Sequence, residues 1–77
     1  MASLRRQFGN RIKSIRKERG LTQEAFAELV GISVDFLSLI ERGINAPSFE
    51  VLEKLSAGLK MPVRDLFDFG PMSVRHR

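Results

Sequence analysis

Few side chains in this chain could do covalent chemistry. There is no cysteine, and the one histidine, His76, stands beside the last residue, so neither a thiolate metal site nor a histidine-based catalytic site can be assembled. No nucleophile, acid–base pair or metal-ligand set converges at a recognisable spacing. What recurs is a run of hydrogen-bonding groups, Gln23, Ser33, Asp35, Ser38, Arg42, Asn45 and Ser48, interleaved with the apolar Val34, Phe36 and Leu39. Amides, hydroxyls and a guanidinium donate or accept hydrogen bonds, and the apolar groups suit methyl or ring contacts. That chemistry is recognition rather than catalysis.

The elements that must position these groups are helices. Leu4, Phe8, Ile12 and Ile15 recur at helical steps and predict the buried face of a first helix, which Gly20 stops. Arg16 lies one turn beyond Ile12, on the edge of that stripe, where a half-buried cation needs an acid. "LTQEAFAELVG" reads as a second helix, with Thr22 as N-cap, Glu24 near the positive end of the dipole, Leu21 and Phe26 at the staple positions, and Gly31 at its end. Ser33 caps a third helix that turns Phe36, Leu37 and Ile40 inward and stops at Gly43. Ser48 caps a fourth, burying Val51, Leu52, Leu55 and Leu59, and Val63 to Phe67 forms a short fifth. Gly58 within the fourth helix costs about 0.5–1 kcal/mol relative to alanine. The fold class is all-α, a compact bundle of five short helices. Residues 1–69 make one domain, and 70–77 a tail expected to fray.

The second and third helices carry the most specific spacing. Two short helices joined by a turn containing glycine form a helix-turn-helix unit. Counting from Gln23, the fifth residue is the small Ala27 and the ninth is Gly31, in the turn. Positions four, eight, ten, fifteen and eighteen are Phe26, Val30, Ile32, Leu37 and Ile40, all apolar. In such a unit the second helix enters the major groove of DNA. At about 100° per residue, Asp35, Ser38, Leu39 and Arg42 point outward, with Val34 at the margin. Phe36 is counted with this set although its angle turns it inward. Serines 33 and 38 can bond base edges or phosphates, Val34 and Leu39 can touch a thymine methyl, and Asp35 can accept from a cytosine amino group. The bidentate arginine–guanine and glutamine–adenine pairs that read bases most strongly are missing from this face. Phosphate contacts fall to Arg42, Asn45 and Ser48 at helix ends, where backbone N–H groups also point outward. The same residues would equally suit a solvated helix face.

Charge is unevenly placed in a chain of net charge +4. The first twenty residues hold seven cations, Arg5, Arg6, Arg11, Lys13, Arg16, Lys17 and Arg19, against Glu18, and the remaining six cations face eight acids. A basic end on a mildly acidic body suits a polyanion partner, with Arg5, Arg6 and Arg11 adding long-range attraction. A solvated basic helix face is the alternative. No apolar run approaches the roughly 18 residues of a membrane span, and the start does not read as a signal peptide, so the expected location is cytoplasmic. Neither a cofactor nor a small-molecule ligand is expected.

The stretch from Ile12 to Phe67, above all "LTQ", "IERG" and "PVRDLF", resembles the Cro/C1-type helix-turn-helix family, the lambda-repressor-like DNA-binding domains. It is most similar to compact free-standing members such as restriction-modification controller proteins and small phage repressors. The resemblance implies a five-helix fold, double-stranded operator DNA as ligand, dimeric binding and no enzyme activity. It also implies that Gln23 holds the DNA backbone and that Arg16 and Glu41 form a partly buried ion pair joining the first and third helices. The order Ala57-Gly58-Leu59-Lys60 departs from the family, where alanine is followed by a glycine just past the helix end, so Lys60 must accept a left-handed conformation unless the helix ends differently. Leu66, Phe67, Phe69 and Met72 crowd the chain's end and predict a homodimer surface, since so small a domain cannot bury all four. The competing reading is an antitoxin-type or other protein-binding module, for which outward Phe36, Leu39 and Phe49 would serve.

Overall fold

The computed structural model describes residues 3–70. Within them the chain forms α1 (Leu4–Glu18), α2 (Gln23–Val30), α3 (Val34–Glu41), α4 (Phe49–Leu59) and α5 (Val63–Leu66). No strand occurs among the described residues. The fifth helix is one residue shorter than the sequence pattern suggests, because Phe67 leaves helical geometry as its C-cap.

The helices pack in a closed ring, α1 on α3, α3 on α2, α2 on α4, α4 on α5 and α5 back on α1. Phe26, Ile12, Leu37, Ile40, Leu55, Leu59 and Leu66 fill its centre and are essentially inaccessible. Phe8, Ile12 and Ile15 occupy the inner face of α1 as their spacing requires. Leu4 does not join them. The stripe outruns its partner by one turn, and Leu4 is left 60% exposed. Val51 and Leu52, expected inside, are half-buried at the edge of the core.

Two glycines set how closely the ring closes. A Cβ on Gly9 would collide with the carbonyl oxygen of Ile40, so only glycine lets α1 lie against α3 there. A Cβ on Gly58 would stand 2.9 Å from Val30 Cα and 3.0 Å from the Leu29 carbonyl oxygen, which makes α4 and α2 meet backbone to backbone. The propensity penalty of Gly58 thus has a packing cause. Lys60 does adopt the left-handed conformation, at φ 58° and ψ 46°, and its N–H closes the end of α4 on Ala57.

Substitutions here should therefore invert the usual helix rule. Gly58→Ala, ordinarily helpful in a helix, should lower the unfolding free energy by about 1–3 kcal/mol through overpacking. Lys60→Gly should raise it by about 1 kcal/mol by relieving the left-handed strain. Urea denaturation of both variants checks the pair of signs.

Candidate nucleic-acid interface

Three side-chain caps fix the helix ends that frame the site. Thr22 Oγ1 accepts from the Ala25 N–H at 3.1 Å, Ser33 Oγ from Phe36 at 3.0 Å, and Ser48 Oγ from Val51 at 3.2 Å. Because each hydroxyl accepts there, its own hydrogen remains a donor. The caps start α2, α3 and α4 where the sequence pattern puts them, and three residues, Gly31 to Ser33, make the turn between α2 and α3.

On α3 the outer side carries the expected groups. Asp35 and Arg42 are exposed, Ser38 and Leu39 half-buried, and Leu37, Ile40 and Glu41 turned into the core. Phe36 and Val34 are half-buried and pack against the core. Phe36, counted among the outward contacts, thus divides its ring between the core and the surface, as Val34 divides its side chain. Beyond the helix, the N–H groups of Ile44 and Asn45 both reach the Leu39 carbonyl, at 3.0 and 3.3 Å, and hold the loop that carries Asn45 toward Ser48.

Beneath α3 lies a buried ionic network. Arg16 Nε donates to Glu41 Oε2 at 2.7 Å and Nη2 to Oε1 at 3.1 Å, a bidentate pair joining α1 to α3. Its third nitrogen, Nη1, donates to the Leu21 carbonyl at 2.9 Å. The two side chains are only 12% and 3% exposed. The hydrogen bonds to Glu41 hold the Arg16 guanidinium above its ordinary pKa; burial opposes this, and the carboxylate charge adds to it. Gln23, the first residue of α2, joins the network by donating Nε2 to Glu41 Oε1 at 3.0 Å. That bond sets the start of α2 against the end of α3. The sequence reading missed it, since a contact 18 residues long leaves no periodic trace.

The cations of the first helix divide into two kinds. Arg11, expected to add long-range attraction, is half-buried and donates Nε to the Asp65 carbonyl at 3.0 Å. Arg19 caps the end of α4 through the Leu59 carbonyl at 2.8 Å. With Arg16 in its pair, three of the seven cations are tied into the scaffold, while Arg5, Arg6, Lys13 and Lys17 are exposed.

Next to the loop that carries Asn45 and Ser48, an apolar groove is lined by Leu4, Phe8, Pro47, Phe49, Leu52 and Phe67. Phe49 stands 84% exposed beside it. The residues expected to form a dimer surface are placed differently. Leu66 is 0% exposed, buried where α5 packs on α1 and α4, so it leaves that set. Phe67 and Phe69 are half-buried, Phe67 stacking on Phe8 at 4.9 Å and on Phe69 at 6.2 Å between ring centroids. Met72 and the tail beyond residue 70 lie outside the described residues.

Comparison with known proteins follows this geometry. A family model described as "Helix-turn-helix" (HTH_3) matches residues 12–66. The chain belongs to the HTH_3 helix-turn-helix family. It is 44% identical over 62 residues to the transcriptional regulator SinR of Bacillus subtilis, covering 79% of this chain and 56% of that one. It is 40% identical over 68 residues to the control protein C.MunI of Mycoplasma, covering 87% of this chain and 92% of that one. Among solved structures, the restriction-modification controller protein C.AhdI of Aeromonas hydrophila superposes with a TM-score of 0.76 at 32% identity, over 80% of this chain and 94% of that one. The chain thus spans little more than half of SinR and nearly all of C.MunI. No helix among the described residues is long and apolar enough to cross a membrane.

The ion pair that members of this family are expected to carry is thus present as Arg16 and Glu41. Removing one partner leaves the other charged and buried. Glu41→Ala should cost about 3–5 kcal/mol of stability, whereas the double variant Arg16→Met, Glu41→Leu should recover most of that loss. Urea unfolding of the three proteins distinguishes this from a pair whose two halves matter independently, for which the double variant would be the least stable.

Proposed function

We infer that the protein is a sequence-specific transcriptional regulator that binds operator DNA as a homodimer. One observation carries the reading: α3 presents an outer side of Asp35, Ser38, Leu39 and Arg42 from a base locked by the Arg16–Glu41 pair. Membership of the helix-turn-helix family and the likeness to SinR and to controller proteins support it. In this reading α3 lies in the major groove with Ser33, Val34, Asp35, Ser38 and Leu39 nearest the bases. Gln23, Arg42, Asn45 and Ser48 hold phosphates on either side. The cytoplasm, where the DNA is, is the corresponding location.

The base-reading surface is thin. One carboxylate, two hydroxyls and two aliphatic groups offer few bidentate bonds, so phosphate contacts and DNA shape carry much of the affinity. If about four to eight phosphates are neutralised per dimer, the slope of log affinity against log salt should be roughly −4 to −7. Anisotropy titrations across a salt series measure that slope, and a flat line would contradict the DNA-binding reading.

The homodimer is best supported at the groove. Phe49 and Leu4 are exposed large apolar groups beside a shared apolar trough, and a second copy related by a two-fold axis covers both at once. Charge agrees with that occupant. Arg5 lines the trough, and the exposed Glu50 and Glu53 stand near Phe49 on α4, so both signs of charge are available to a second copy. A two-fold pair also sets two recognition helices to read a pseudo-palindrome, about 34 Å apart on one side of the duplex. In sedimentation runs at high micromolar concentration the wild type should be dimeric and Phe49→Asp monomeric but folded. A monomeric wild type rules out the dimer, while a dimeric variant moves the interface elsewhere.

A further inference from the structure

Gln23 has two amide hydrogens on Nε2, and the fold holds that amide by one hydrogen bond, to Glu41 Oε1 at 3.0 Å. The same oxygen accepts Arg16 Nη2 at 3.1 Å, and the other carboxylate oxygen accepts Nε at 2.7 Å. Arg16 in turn grips the Leu21 carbonyl at 2.9 Å, one residue before the Thr22 cap of α2. A carboxylate fixed by α1 therefore fixes the first side chain of α2.

We propose that Glu41 is a positioning residue for DNA, holding the Gln23 carboxamide so that its second Nε2 hydrogen meets a phosphate oxygen at the start of α2. This rests on the DNA-binding reading above and extends it: the buried ion pair orients a recognition group as well as joining two helices. Three physical effects favour it. A long, mobile glutamine side chain loses rotamer freedom when it contacts a ligand, whereas one already held loses little. A bare carboxylate so near a phosphate would repel it, but the bidentate arginine neutralises Glu41 within the protein. The outward N–H groups and the dipole at the start of α2 then add attraction from the same place.

The test is a double-mutant cycle on DNA affinity, using a duplex that the wild-type chain recovers from a randomised pool. Gln23→Ala should weaken binding about tenfold per half-site, the loss of one hydrogen bond to a charged group. In the Arg16→Met, Glu41→Leu background the same substitution should cost much less, because no side-chain oxygen is left at position 41 to hold the carboxamide. Additive losses would overturn the positioning role. Gln23→Ala binding as tightly as wild type would remove the phosphate contact and the proposal with it. A wild-type protein that recovers no duplex fails the DNA-binding reading itself, which is a separate result. If that double variant does not fold, the side-chain amide of Gln23 in the wild-type protein decides by nuclear magnetic resonance. One Nε2 hydrogen should exchange slowly before DNA is added, and the other should shift on adding it. Two rapidly exchanging hydrogens, or two that DNA leaves unmoved, would overturn the proposal.

Discussion

A carboxylate whose side chain is only 3% exposed is the constraint on which much of this domain depends. Taking Glu41 out of water costs several kcal/mol unless its oxygens are fully hydrogen-bonded. Arg16 meets that demand only if α1 and α3 keep one register, since Nε and Nη2 must reach two oxygens at once. Gly9 makes the register reachable two turns earlier on α1, where a side chain would strike the carbonyls of Ile40 and Glu41. The pair and the glycine are thus two halves of one device. The glycine lets the backbones approach, and the ion pair penalises any approach that is rotated or shifted.

The seam between α2 and α4 solves the same problem without charge. Gly58 lets Val30 and the Leu29 carbonyl come against the α4 backbone, and Lys54 Nζ donates to the Gly31 carbonyl across the seam at 3.3 Å. At the far end of α4, Arg19 reaches the Leu59 carbonyl and the Ser56 hydroxyl donates to Met61. A chain of 77 residues without cysteine has no covalent staple and only a modest core. Closing the helices in a ring lets every element contact two others, so α3 is held from its inner side alone. Its outer side stays open to a partner without loss of packing.

What was legible in the sequence is what is local. Thr22, Ser33 and Ser48 announce helix starts because a cap acts within three residues, and Phe8, Ile12 and Ile15 announce a face because periodicity does. Leu66 misled because an apolar group near the chain's end belongs to surface or core according to whether α5 docks, which its own neighbours do not say. Leu4 misled for the converse reason: its stripe continues, but the partner helix does not. Gly9 left one signal that could have been read, since it lies three residues before Ile12, inside the apolar stripe, where a bare position marks a close crossing. The partners of Arg11, Arg19 and Gln23 left none. Their acceptors lie 54, 40 and 18 residues away, and two of the three are backbone carbonyls with no side-chain signature.

Those long-range contacts also redistribute the charge of the basic end. The surplus of cations in the first twenty residues suggested a diffuse basic end drawn to a polyanion, yet Arg11, Arg16 and Arg19 serve carbonyls and a carboxylate of the fold. A guanidinium locked onto an internal acceptor still contributes to the far field, but it cannot turn to follow a phosphate. Attraction at contact range therefore falls to the exposed Arg5, Arg6, Lys13, Lys17 and Arg42 and to the helix starts. On the DNA-binding reading, the exposed Asp35 on the outer side of α3 repels phosphates and suits a base edge that can donate. On the DNA-binding reading, discrimination then comes as much from rejecting poorly seated complexes as from rewarding good ones. A thin reading surface is consistent with sequence preference when the frame behind it is stiff, because a stiff frame cannot adjust to a duplex of the wrong shape.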